Sequence, residues 1–396
     1  MRLSALAVLA LLCAGTVPAR ERSGELPAAS PEIRYVGRTE TTGGSVSFDW
    51  SGTYFECRFT GGSLAVRVSD TKRNYYNLTL DGHDAGIVAT FGTDSLVVLA
   101  EGLGEGEHTL RMQKRTEGEQ GRTTLHAFRL ARNGRLLPAP PSPGRHIEFI
   151  GNSLTCGYGT EGRSKDEPFE PETENCDKAF GCIVARYFGA EYTLIAHSGR
   201  GAARNYGDRN TVSENTMADR LGNTFDESPL PAWNFTASPY RPDIIVINLG
   251  SNDFSTEPHP SREEFAAAYT RILRTLRDAY GDTPPILCVA PRVGEPAFTF
   301  IRDICRAAVV RNLHFTAVLR RQRPGIVGAS QLHRAAQTGD APDSLRLDAH
   351  GLGGGGETDR IAPPGPRAVR IASEFRHDGI DAVHDPPVEL LEVDLR

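Results

Sequence analysis

The stretch Asp243–Asp253, DIIVINLGSND, restricts the fold more than any other in the chain. Consecutive β-branched residues, Ile244 to Ile247, suit a strand, where branching at Cβ costs little. The run lacks polar alternate positions, so both faces of that strand must be buried. That is the situation of a parallel strand with helices on either side. It stops abruptly at Gly250-Ser251-Asn252-Asp253. Two shorter runs end in the same manner: HIEFIG (146–151) runs into Asn152-Ser153, and EYTLIAHSG (191–199) into Arg200-Gly201. PSREEFAAAYTRILRTLRDAYG reads as a helix, opened by a capping box of Ser261 and Glu264 and closed at Gly281. PILCVAP is a further strand, AFTFIRDICRAAVV a helix and LHFTAVL (313–319) a last strand. Strand and helix alternate, which predicts an α/β doubly wound parallel sheet over residues 146–320.

Residues 31–135 have a different period. GSVSFDWSGTYFECRFTGGSLAVRVSD and NYYNLTLDG alternate apolar with polar residues between Gly and Asp-Gly turns, which predicts an N-terminal β-sandwich of jelly-roll type. LLPAPPSPGR (136–145) is a proline-rich linker between the two domains. The first 19 residues have the pattern of a secretory signal: Arg2, the apolar Leu3 to Leu12, and small residues at Val17-Pro18-Ala19. The apolar run is well short of the ~20 residues that span a bilayer. The mature chain is therefore expected to be secreted or periplasmic. A net charge of −6 argues against nucleic acid and anionic membranes as partners. Of seven cysteines, Cys13 leaves with the signal. Cys156 paired with Cys176 or Cys182 could staple the loop after Ser153, while buried free thiols are the alternative. The spacing does not resemble a zinc site, and no metal is expected.

Ligands of doubly wound sheets sit beyond the C-terminal ends of the strands, where these turns lie. Acyl transfer needs a nucleophile and donors for an oxyanion. Ser153 suits the first; its own N–H, that of Gly199 and the side-chain amide of Asn252 suit the second. A neutral amide donates without titrating. Each turn alone is an ordinary loop, and the three together on strand ends point to a site.

FIGNSLTCGYG, IAHSGRGAARNYGD and VINLGSNDFST resemble blocks I, II and III of the SGNH (GDSL-like) hydrolases. The preceding SGTYFECRFTG and RNYYNLTLDG point to carbohydrate esterase family 2, with a resemblance from about residue 31 to 319. The resemblance implies a serine esterase, acetyl xylan esterase-like, that removes O-acetyl groups from polysaccharides or sugars without metal or organic cofactor. It implies Ser153 as nucleophile and Gly199 and Asn252 as oxyanion donors. Trp233 and Tyr206 are candidate sugar-stacking residues, with core packing as the competing reading, and Arg204 and Asn205 fall in the second block without an assigned role. The alternative is a catalytically impaired carbohydrate-binding protein of the same fold.

The family's base lies near the C-terminus in an Asp-x-x-His-Pro-like motif, and this chain departs from the pattern there. Residues 321–396 contain a single aromatic residue, Phe375, and a Gly353–Gly356 run. Shifted by one nucleotide, codons for Arg321–Gly325 permit Gly-Asn-Asp-Leu-Gly, close to a family motif. A frameshift is therefore expected over 321–396, a divergent disordered tail being the alternative. His333, or Asp381 with His384, are the in-frame candidates for the base.

Overall fold

The structure, a computed structural model, describes residues 25–164, 166–291 and 295–310. The leader expected at residues 1–19, the strand expected at 313–319 and the segment 321–396 with His333, Asp381 and His384 lie outside those residues.

The N-terminal part is one ten-stranded antiparallel sheet curled on itself: β1 (Glu25–Pro27), β2 (Ile33–Val36), β3 (Glu40–Thr42), β4 (Ser45–Phe48), β5 (Tyr54–Thr60), β6 (Leu64–Leu80), β7 (His83–Ala100), β8 (Glu107–Lys114), β9 (Thr123–Leu130) and β10 (Arg135–Leu137). The curl comes from β6. Its first half pairs with β9 and its second half with β8, so one strand passes from one layer into the other. Phe48, Phe55, Phe59, Val66, Tyr76 and Phe128 fill the space between the layers. All but Phe128 fall in the two alternating stretches read from the sequence, and the jelly-roll-like sandwich is found. The ladder includes Leu136 and Leu137, which pair with Phe59 and Arg58.

Among the described residues the second part holds four parallel strands: β11 (His146–Gly151), β12 (Glu191–Ala196), then, after a β13–β14 hairpin (Asn223–Phe225, Ser228–Ala232), β15 (Ile244–Ile247) and β16 (Ile286–Cys288). Their spatial order is β12-β11-β15-β16. Helices α1 (Ser153–Cys156), α2 (Phe180–Tyr187), α3 (Met217–Arg220), α4 (Arg262–Tyr280) and α5 (Glu295–Val310) lie between or after the strands. Side chains alternate across this sheet. Ile150, Ile195, Ile245 and Ile247 pack against α4 and α5, while Ile147, Phe149, Leu194 and Val246 pack against α2. Both faces are covered, as the Ile244–Ile247 run requires. The chain leaves β11 toward β12 on one side and leaves β15 toward β16 on the other. The switch point therefore falls at the C-terminal end of β11, which is where such sheets place ligands.

The interiors of the two parts interlock at their junction. Trp50 belongs to the antiparallel domain by sequence, yet it is fully buried in the cluster around Ile150, Ile195 and Ile245. Its indole N–H donates to the Thr224 carbonyl at 3.0 Å. Arg38, also fully buried, donates to the Leu221 and Asn223 carbonyls at 2.6 and 2.7 Å.

Candidate active site

Strand β11 turns into α1 within two residues. A Cβ at Gly151 would come within 2.0 Å of Thr155 Oγ1, so only glycine lets the chain fold back this tightly. Asn152 caps the turn by accepting from the Leu154 N–H at 3.3 Å, and its own amide donates to Ser251 Oγ at 2.7 Å. Ser153 thus opens α1, partly exposed at the switch point, with the first N–H of the turn free of any partner within it.

The turns after β12 and β15 are stitched together by Asp253. Its buried carboxylate accepts the backbone N–H groups of Ala202, Ala203 and Arg204 at 3.0, 2.7 and 2.9 Å. Burial raises the pKa of Asp253, and those backbone donors oppose the rise. Asn252 donates one amide hydrogen to the Arg200 carbonyl at 2.7 Å. Its NH₂ has a second hydrogen to give, and the first bond fixes where that hydrogen points. Gly199 holds φ at +74°, with open space where a Cβ would be. Its carbonyl accepts from Tyr206 N–H at 2.8 Å. The three turns predicted to meet do meet, on neighbouring strands.

A layer of buried charge lies behind these turns. Glu117 and Glu174 are fully buried, and with the Cys156 thiol their donor atoms lie within 4.8 Å of one another. Burial pushes Glu174 well up, and the charge on Glu117 adds to the rise; burial also raises Glu117, against the pull of His197 and the Ser198 N–H. His197 Nδ1 meets Asp226 Oδ2 at 2.6 Å, and Arg220 Nη1 meets Asp226 Oδ1 at 2.8 Å. Burial would lower His197, but Asp226 and Glu117 outweigh it and the pKa is raised. Asp49, raised to about 7 by burial and by Asp226, accepts the Asp226 backbone N–H at 2.7 Å. Cation-like donor sets therefore exist at Glu117/Cys156/Glu174 and at His197/Asp226/Glu227. In both, protein donors occupy them: the Ser198 N–H and Cys156 thiol on Glu117, and Arg220 with His197 on Asp226.

Of the other sequence candidates, Tyr206 is 63% exposed beside Gly199 and lines a groove of about 520 Å³ with Arg200, Asn205, Asp208 and Val212. Trp233 is placed elsewhere. Its ring packs between Arg38 and Tyr240, and Tyr240 stacks at 4.1 Å on His146, the first residue of β11. Ser153 lies past the opposite end of that strand, about 17 Å along it. Arg204 is fully buried and donates to the Asn210 carbonyl at 3.0 Å and Thr256 Oγ1 at 3.1 Å. Asn205 accepts from Gly201 N–H at 3.2 Å and donates to the Glu214 carbonyl at 2.8 Å. Both residues hold the shape of the second turn. Of the two readings left open for Cys156, a disulfide to Cys176 or Cys182 or a buried free thiol, the structure has the free thiol. All six cysteines of residues 25–310 are buried free thiols, with Cys156 turned to Glu117 at 3.6 Å and Cys176 to the Lys114 carbonyl at 3.2 Å.

Glu117, Glu174 and the His197–Asp226 pair escaped the sequence reading. Only the histidine beside SGRG carried a local signal; the acids come from distant segments.

Residues 35–140 match the profile "Carbohydrate esterase 2 N-terminal" and residues 149–344 the "GDSL-like Lipase/Acylhydrolase family". The chain is 35% identical over 281 residues, 71% of its length, to the cellulase/esterase CelE of Acetivibrio thermocellus, and spans 33% of that protein. It is 31% identical over 243 residues, 59% of its length, to an acetylxylan esterase / glucomannan deacetylase of Cellvibrio japonicus, and spans 65% of it. Among solved structures, a family two carbohydrate esterase from Clostridium thermocellum in complex with cellohexaose superposes with a TM-score of 0.69 at 30% identity, over 78% of this chain and 100% of that one. An active site mutant of a family two esterase from the same organism gives 0.68 at 32% identity, over 75% and 90% of the two chains. This chain belongs to carbohydrate esterase family 2, among the SGNH (GDSL-like) hydrolases. Among the described residues no helix is long and apolar enough to cross a membrane.

Proposed function

We propose that this chain is a secreted serine esterase that removes O-acetyl groups from a polysaccharide or oligosaccharide through an acetyl-enzyme. The observation that carries the reading is the meeting of the Ser153, Gly199 and Asn252 turns at the switch point of the sheet. Ser153 Oγ attacks the acetyl carbonyl carbon and gives its proton to a base. The oxyanion is held by the N–H groups of Ser153 and Gly199 and by the second amide hydrogen of Asn252. The sugar oxygen leaves with the proton, and water then releases acetate from Ser153 and restores the serine. No metal or organic cofactor enters this scheme.

A histidine serves as the base, and in the chain as written His333 and the Asp381/His384 pair are the in-frame candidates for it. His197 does not suit the role: it is 2% exposed, and its Nε2 faces Glu119 at 3.7 Å and makes no hydrogen bond to Ser153. The acetylxylan esterase / glucomannan deacetylase and the esterase solved with cellohexaose support an acetylated plant polysaccharide as substrate. Tyr206, exposed beside Gly199, offers a face to a sugar ring. The leader-like first residues support export.

Acetate release from acetylated xylan and glucomannan, measured beside Ser153→Ala, tests the reading. Ser153→Ala is expected to lose on the order of 10⁴ or more in kcat, as removal of a nucleophile does, while it still binds cellohexaose. Undiminished release by Ser153→Ala would overturn the assignment. A wild-type protein that binds the oligosaccharide and releases no acetate would make this a carbohydrate-binding protein.

A further inference from the structure

The geometry assigns to Glu117, a residue of the antiparallel domain, the positioning of the acyl-transfer site in the parallel domain. A single buried carboxylate oxygen clamps the backbone just before Gly199 to the turn that begins with Ser153. The inference rests on the esterase reading above for its catalytic consequence, and on contacts alone for the clamp.

Glu117 sits between β8 and β9, at the start of a short turn whose next residue is wedged against the other domain. A Cβ added at Gly118 would come 2.5 Å from the Cβ of Asp226. Glu117 Oε2 accepts the Ser198 N–H at 2.6 Å, and the Cys156 thiol reaches the same oxygen at 3.6 Å. Ser198 is joined directly to Gly199, and Cys156 ends the one-turn helix that Ser153 opens. The carboxylate therefore restrains the Gly199 N–H through one peptide unit and the Ser153 N–H through one helical turn. Its own backbone is fixed in turn: Glu117 N–H donates to Glu174 Oε2 at 3.0 Å, and Lys114 Nζ donates to the Glu117 carbonyl at 3.0 Å. Lys114, Glu117 and Glu174 are all fully buried. A hydrogen bond from a backbone N–H to a carboxylate oxygen in such buried surroundings is short and strong. A displacement of the oxyanion donors by even 1 Å can cost about 10²-fold in rate.

Hydrogen–deuterium exchange across residues 197–201, read together with kcat and KM for acetyl release, tests the assignment. Glu117→Ala removes the acceptor, and Glu117→Asp withdraws it by one methylene while keeping the charge. Glu117→Gln keeps an oxygen for the Ser198 N–H and an amide to give to Glu174. We expect the 197–201 amides to exchange at least about tenfold faster in Glu117→Ala, less so in Glu117→Asp, and to be held again in Glu117→Gln. Turnover should follow the same order, with kcat down about 10²-fold in Glu117→Ala and KM nearly unchanged, since positioning acts on the transition state. Unchanged exchange in a folded Glu117→Ala, or in Glu117→Asp if the alanine variant does not fold, would overturn the clamp. Faster exchange with unchanged kcat in an active enzyme would overturn its catalytic consequence. If the wild type releases no acetate, the esterase reading fails, and the exchange rates alone still decide whether Glu117 holds the turn.

Discussion

In the proposed scheme Asn252 serves structure and chemistry with one amide. One hydrogen is committed to the Arg200 carbonyl at 2.7 Å, which locks the side chain and aims the other. Asn252→Ala should lower kcat by about 10²–10³-fold, the usual loss of an oxyanion donor, with KM changed far less. Asn252→Asp should be worse, because a carboxylate repels the oxyanion and meets the Arg200 carbonyl with an acceptor. Steady-state kinetics on an acetylated oligosaccharide checks both. His146 carries a different consequence. It is 4% exposed, stacked on Tyr240 and bonded to Thr193 Oγ1 at 2.9 Å, and burial drops its pKa to about 3. The unfolded chain binds a proton there near pH 6.5 and the folded chain does not, so the unfolded state holds more protons between those values. The stability contributed is complete above about pH 6.5 and is lost as pH falls toward 3. His146→Gln should flatten that acid decline, as measured by urea unfolding at a series of pH values.

At the scale of elements, α4 was readable end to end. Ser261 Oγ accepts from the Glu264 N–H at 3.2 Å, and Glu264 returns a bond to the Ser261 N–H at 2.8 Å. Gly281 closes the helix at φ +73°. These are local signals, spaced by three residues and by one helix end, so sequence carries them. Ser261→Ala should cost about 1 kcal/mol and lower Tm by a few degrees, measured by thermal unfolding. The β-domain was less legible. That β6 would serve both layers depends on its partners β8 and β9, which its own period cannot specify. Inside β11, Glu148 interrupts an apolar run at the centre of the sheet. It is fully buried because the Tyr240 and Tyr280 hydroxyls donate to it at 3.0 and 2.8 Å.

Across the whole molecule, the proline-rich segment joins parts whose interiors interlock at their junction. Trp50 fills the parallel domain's interior, Arg38 binds the carbonyls of Leu221 and Asn223, and Asp49 holds Asp226. We expect a single calorimetric unfolding transition, and a chain cut within residues 138–144 should elute as one body on gel filtration. Separation of the halves would contradict the interlocked junction. Trp50→Ala should cost about 3–5 kcal/mol, as deletion of a buried indole does, and should destabilise both domains together.

What the sequence determined by itself were the features encoded in neighbouring residues: the doubly buried strand at 244–247, the alternating strands before residue 135, the capped helix, and the turns bearing Ser153, Gly199 and Asn252. Each depends on a period or a spacing of a few residues, and periods survive without knowledge of partners. Only the tertiary structure decided that Cys156 would face Glu117 instead of another thiol, and that Trp233 would pack at the far end of β11. It also brought Glu117 to Ser198 across 81 positions of chain and His197 to Asp226 across 29. Buried charges need partners, but any acid of the right reach could supply one. The first pairing is fixed by where the two domains press together and the second by how the turns after β12 and β13 pack, relations that no local pattern records.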